Sequence, residues 1–200
     1  MRKMVLMVVV LAMGAAASGA TLTATLIPSN GGVAAAGEQF TVDIWLKTDT
    51  ELGISDVSLD ILSAGDGDTV PAPNGPYCTV TWNAAVLSTY SPLTIPGNPL
   101  DGDGDGDADT CALSLGLLAN VAPGLGTGDG TMIGTITYTC VTGVPDVLTP
   151  SLDLTSRYWA DGSTKAEFDS FQAVPCNVNL PEPATLGLLV LGVLGLLRRR

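Results

Sequence analysis

From Gln39 to Lys47 the chain alternates residue by residue: Phe40, Val42, Ile44 and Leu46 are separated by Thr41, Asp43 and Trp45. Successive side chains of an extended strand point to opposite faces, so this stretch predicts a half-buried strand. Ile54, Val57, Leu59 and Ile61 fall mostly on one side, with a one-residue irregularity that reads as a bulge. The same β-branched and aromatic bias returns in Cys78–Trp82, Thr131–Val141 and Asp169–Val178. Between these runs stand NGG, GDGD, PNGP, PGNP, GLGTGDG and ADG, all turn chemistry. No internal stretch keeps a 3.6-residue apolar period, and Trp82–Tyr90 has room for one helical turn. The fold expected is all-β, an antiparallel β-sandwich of about eight or nine strands.

The two ends read differently. Arg2 and Lys3 precede an apolar run, Met4–Met13, and then the small residues of GAAASGA at 14–20. That is the order of a secretory signal peptide, with cleavage expected after Ala20 and Ala17 as the alternative. At the other end, Pro181-Glu182-Pro183 leads into the uncharged run Ala184–Leu197 and then Arg198, Arg199 and Arg200. As a helix that run rises about 21 Å, short of a bilayer core roughly 30 Å thick. A membrane segment of this length is held only with help from snorkelling arginines and local thinning. The chain thus divides into residues 1–20, a body at 21–180 and a C-terminal segment at 181–200.

Five of the eight cations lie in the end segments, whereas all twenty acids lie between Thr21 and Pro183. Only Lys47, Arg157 and Lys165 offset them, leaving that stretch at −17. Such a field excludes nucleic acid as a natural partner and favours solubility and cations. Four cysteines, Cys78, Cys111, Cys140 and Cys176, fall in the exported part. An even number in an oxidising compartment predicts two disulfides, and the shorter loops favour Cys78–Cys111 and Cys140–Cys176 among three pairings.

The densest charge is DGDGDGDAD, where Asp101, Asp103, Asp105, Asp107 and Asp109 occupy every second position. Their mutual repulsion disfavours compaction unless a cation intervenes, and the glycines let backbone wrap closely. Set on an EF-hand loop, Asp101, Asp103 and Asp105 take positions one, three and five, and Gly106 takes the turn position. Position twelve is Ala112, without the bidentate carboxylate. A structural Ca2+ site is one reading and a solvated acidic loop the other.

Catalytic signatures are missing. The chain has no histidine, which removes the commonest general base and makes structural zinc improbable. It shows no phosphate-binding glycine loop, nucleophile elbow or Ser-x-x-Lys. A non-enzymatic protein is expected. Among the aromatics, Tyr158-Trp159 beside Asp161 is the most exposed-looking pair and the candidate ligand contact.

Two resemblances give these readings a frame. Gly31–Leu62, Thr81–Leu87 and Gly126–Thr139 resemble the opening, middle and late strands of a cohesin-like module across most of Thr21–Leu180. Cohesin-like and carbohydrate-binding modules share this pattern, so the resemblance implies a jelly-roll-type sandwich and a protein- or carbohydrate-binding role. The tail, with its Pro-Glu-Pro step, apolar helix and arginine cluster, resembles the PEP-CTERM sorting signal. That implies recognition by an exosortase, a membrane peptidase that cuts near Pro181-Glu182-Pro183. Implied with it are a transient stay in the inner membrane, release to the cell surface or matrix, and exopolysaccharide or a surface protein as partner. The arginines would keep the tail on the cytoplasmic side.

Overall fold

The alternation at Gln39–Thr48 becomes a strand whose Phe40, Val42, Ile44 and Leu46 are all buried. The computed structural model describes residues 19–63, 69–71, 80–88, 90–94, 110–117, 122–140, 146–152 and 156–179. Two sheets face each other. The first contains β1 (Thr21–Pro28), β2 (Gln39–Thr48), β4 (Thr69–Pro71), β5 (Val80–Trp82), β8 (Thr131–Cys140) and β12 (Ser170–Val174). Its order is β12-β1-β2-β8, with β4 and β5 each pairing with β8. The second contains β3 (Ile54–Ser63), β6 (Tyr90–Thr94), β7 (Thr110–Leu117), β9 (Asp146–Leu152), β10 (Arg157–Trp159), β11 (Lys165–Glu167) and β13 (Cys176–Val178). Here β3 pairs with β7 along one side and with β10 and then β9 along the other, and β13 pairs with β9.

The sandwich is as expected, but the strand count is not. Thirteen strands stand among the described residues, five of them only three residues long. Short strands such as β10 and β11 carry too few residues to show a period. One ladder, β1 with β12, is parallel, so the first sheet is mixed rather than purely antiparallel. The single turn expected near Trp82–Tyr90 is α1 (Ala84–Leu87).

The irregularity in β3 has a physical origin. Arg157 pairs with Asp56 and Tyr158 with Ile54, leaving Ser55 as an extra residue on β3. Its hydroxyl donates to the Arg157 carbonyl at 3.0 Å, satisfying a side chain with no exposure. The bulge restores register, so Ile54, Val57, Leu59 and Ile61 are all buried. These residues meet Leu22, Ala24 and Leu26 of β1 and Ile136 and Tyr138 of β8 in one core. Each large apolar side chain so enclosed contributes about 1.5–3 kcal/mol.

The expected Cys140–Cys176 bridge is absent: both cysteines are free and buried. Cys140 ends β8 in one sheet and Cys176 begins β13 in the other. Loop length, which suggested the pairing, is blind to which sheet a strand joins. Burial first, and then the nearby Asp146 carboxylate, push the Cys176 thiol up to about 11. Cys78 lies outside the described residues, and of Cys111 only the strand position, opposite Ile61, is described.

Candidate functional site

At the end of the sandwich where β1 begins and β2 finishes, the chain turns through Asp49–Gly53 into β3. Gly53 adopts φ 77°, and a Cβ there would stand 2.6 Å from the Leu125 carbonyl. Gly124 is tighter still, with its hypothetical Cβ 1.9 Å from the Ile54 carbonyl. Only glycine at both positions lets the two backbones meet. They exchange bonds from Ile54 N to Leu125 O (2.7 Å) and from Gly124 N to Leu52 O (2.7 Å). On the other side of the turn, Trp159 N donates to Gly53 O at 3.0 Å. Strand β10 and the turn are therefore locked together.

This locking encloses a cleft of about 380 Å³, walled by Ala20, Asp49, Thr50, Glu51, Tyr158 and Trp159 among others. Trp159 is not the exposed platform that its neighbours in sequence suggested: it is 2% exposed. Tyr158 is half-buried and packs against Phe168 with ring centroids 5.2 Å apart. The Lys165 ammonium lies 5.2 Å from the centre of the Trp159 ring, an attractive cation–π geometry. The Trp159 indole N–H is buried without a hydrogen-bond partner.

The cations near the cleft are engaged. Asp56 Oδ1 accepts from Arg157 Nε at 2.8 Å, and Asp56 Oδ2 from Lys165 Nζ at 3.0 Å. Burial raises the Asp56 carboxyl, but bonds from Arg157, Lys165 and Ser55, with the Lys165 charge, outweigh it and hold it below its ordinary value. Asp161 caps the β10–β11 turn: its Oδ1 accepts from Ser163 N (2.7 Å), Ser163 Oγ (2.9 Å) and Thr164 N (2.6 Å). The backbone and hydroxyl bonds from Ser163, then those from Thr164, bring it down to about 2. Asp49 Oδ1 accepts from Thr21 N at 2.8 Å, and Asp169 Oδ2 from Ala20 N at 2.7 Å, pinning the start of β1.

With Ala20 in place, the lining offers carboxylate, hydroxyl and aromatic groups and no cation, whereas cleavage after Ala20 sets the Thr21 ammonium against Asp49. It suits a neutral polyhydroxylated or a cationic group and repels an anion. Asp49, Thr50 and Glu51 escaped sequence reading because a turn with two acids looks like any other acidic turn of this chain. Their position against Tyr158-Trp159 is a product of the fold alone.

The remaining sequence candidates fall elsewhere. Asp101, Asp103, Asp105, Asp107 and Asp109 lie outside the described residues, as do Pro181, Glu182, Pro183 and the arginine cluster. Among the described residues no three Asp, Glu, Cys or His side chains gather to hold a metal, and no helix there is long and apolar enough to cross a membrane.

Comparison with known proteins bears on the tail and the body separately. Residues 179–200 match the PEP-CTERM protein-sorting motif, so the chain carries that motif immediately after its last described strand. No curated protein matches the chain. The body superposes on the seventh ScaB type I cohesin from Pseudobacteroides cellulosolvens with a TM-score of 0.52. That pair is 10% identical, covering 82% of this chain and 95% of the cohesin. A cohesin module from a Clostridium perfringens family 33 glycoside hydrolase gives a TM-score of 0.51 at 8% identity, covering 80% of this chain and 97% of the module. The body has the cohesin fold.

Proposed function

We propose that this is an exported, non-enzymatic protein, a cohesin-like binding module delivered to the cell surface or extracellular matrix by its C-terminal signal. The observation that carries this reading is the order of parts: a PEP-CTERM motif begins at Asn179, where the folded strands end. Residues 184–197 hold the chain in the inner membrane while an exosortase-type peptidase cuts near Pro181-Glu182-Pro183. Proline chemistry disfavours helix on that approach, which suits a peptidase. Arg198–Arg200 keep the tail oriented.

Once released, the −16 body remains soluble and engages exopolysaccharide or a surface protein through the cleft beside Tyr158, whose lining supports a neutral or cationic ligand. Asp101, Asp103, Asp105, Asp107 and Asp109 order their loop around Ca2+. Calcium titration of the purified body tests this part, and an absence of heat at millimolar calcium removes it.

Deleting residues 181–200 tests the delivery. The truncated protein is expected to be lost from the surface fraction. Undiminished surface retention would defeat the role assigned to the tail.

A further inference from the structure

Strand alternation and register fix which residues cover the outer side of the first sheet. Leu22, Ala24 and Leu26 of β1 are buried, so Thr21, Thr23, Thr25 and Ile27 point outward. By the same alternation β2 presents Gln39, Thr41, Asp43, Trp45 and Lys47, and β8 presents Thr135, Thr137 and Thr139. Pairing sets Thr25 opposite Trp45, Thr41 opposite Thr137, and Asp43 opposite Thr135, which also faces Thr81 of β5. At the other edge, Ser170 and Gln172 of β12 pair with Thr21 and Thr23. From β12 to β5 there are four strand spacings, about 19 Å in all.

This face is neutral on a body of −16. Asp43 and Lys47 are its one acid and one cation among the described residues. The outer side of β3 presents Asp56 and Asp60 instead. Acids that flank the strands of the first sheet are engaged at its ends: Glu38 accepts from Ala35 N, Asp49 from Thr21 N and Asp169 from Ala20 N. Asp43 itself accepts from the Thr135 hydroxyl at 2.8 Å. Among the described residues, the hydroxyls of Thr23, Thr25, Thr41 and Thr137 and the indole N–H of Trp45 have no protein partner. They are donors and acceptors open to a ligand.

We infer that this face binds an uncharged polysaccharide, through residues none of which line the cleft. A sugar polymer carries hydroxyls along its edges and C–H groups on its ring faces. Threonine answers both, with a hydroxyl that donates and accepts and a methyl beside it. Its β-branched side chain is stiff, so little rotamer freedom is lost on binding. Half-buried Trp45 adds an aromatic surface for a ring face and an N–H for a hydroxyl. A protein partner fits the face less well, because serine and threonine are under-represented among interface anchors. A second copy would set −16 against −16. The inference rests on the exopolysaccharide reading above and adds a second place of contact to it.

Co-sedimentation of the full chain, held in a polyoxyethylene detergent, with insoluble cellulose, mannan and β-1,3-glucan tests it. Carboxymethylcellulose resin serves as the charged control. Wild type should sediment with at least one neutral polymer and less with the resin. Thr23→Val, Thr25→Val and Thr137→Val combined keep the strand shape and remove three hydroxyls, and should weaken binding by about tenfold or more. Serine at the same three positions should keep it, and Trp45→Ala should weaken it. Unchanged melting of the valine variant excludes misfolding as the cause. Valine and Trp45→Ala variants that sediment like wild type would overturn this contact, and a loss confined to Tyr158→Phe would leave the cleft standing. Equal sedimentation of wild type with the resin would overturn the neutral occupant. Wild type sedimenting with no polymer would remove both the inference and the exopolysaccharide reading beneath it.

Discussion

Asp56 Oδ2 lies 3.0 Å from Lys165 Nζ, joining β3 to β11 across β10. The same carboxylate holds Arg157 at 2.8 Å, so two of the three body cations converge on one acid. In a body of −16, this local balance fixes the hairpin that forms one wall of the cleft.

Asp56→Asn should therefore destabilise the body by about 1–2 kcal/mol, because Lys165 loses its anion while remaining partly buried. The wild-type carboxyl titrates below its ordinary value, so its contribution is present above the unfolded pKa near 3.8. It is lost as pH falls through the lower folded value. Urea unfolding at pH 7 and pH 3 should show a large difference between wild type and variant at pH 7 and a smaller one at pH 3. Equal differences would remove Asp56 as the titrating anchor.

Gly124→Ala places a Cβ about 2 Å from the Ile54 carbonyl, and neither backbone has room to yield. A loss of about 3 kcal/mol or more is expected. Gly37→Ala meets nothing within 4 Å and suffers only its φ of 80°, a cost of about 1 kcal/mol. Thermal melts of the two variants should separate clearly, and a milder Gly124 variant would contradict the close approach that shapes the cleft.

Binding through the cleft is separable from stability. Glu51 is exposed at the rim and Tyr158 half-buried, so Glu51→Gln and Tyr158→Phe should melt within about 0.5 kcal/mol of wild type. Each should lose retention on the natural polysaccharide or protein ligand. Retention equal to wild type in both would place the ligand elsewhere.

With its pKa at about 11, only about one Cys176 thiol in a thousand is ionised at pH 8. Alkylation of the folded body at pH 8 should leave Cys140 and Cys176 unmodified, and denaturant should open both. A Cys140–Cys176 bridged peptide under non-reducing digestion would contradict the free thiols.

Much of the sandwich was legible because β2, β3 and β8 are long enough for alternation to show. Phe40, Val42, Ile44 and Leu46 are buried as their spacing predicts, and the odd step between Ile54 and Val57 is the bulge at Ser55. The three-residue strands β10, β11 and β13 left no periodic trace. Trp159 was misplaced because its neighbours Tyr158 and Asp161 look surface-bound, yet β10 turns it inward beneath Lys165. The cleft was invisible for a related reason. Asp49 and Tyr158 are separated by about half the chain, and the pairing of β10 with β3, extended by the bond from Trp159 N to Gly53 O, brings their segments together.

The most direct measurement of the central claim is the intact mass of the protein recovered from its native surface. Processing at the tail predicts a chain that ends near Pro181-Glu182-Pro183, with β13 and Asn179 retained. A mass that still contains Ala184–Arg200 would contradict the sorting role.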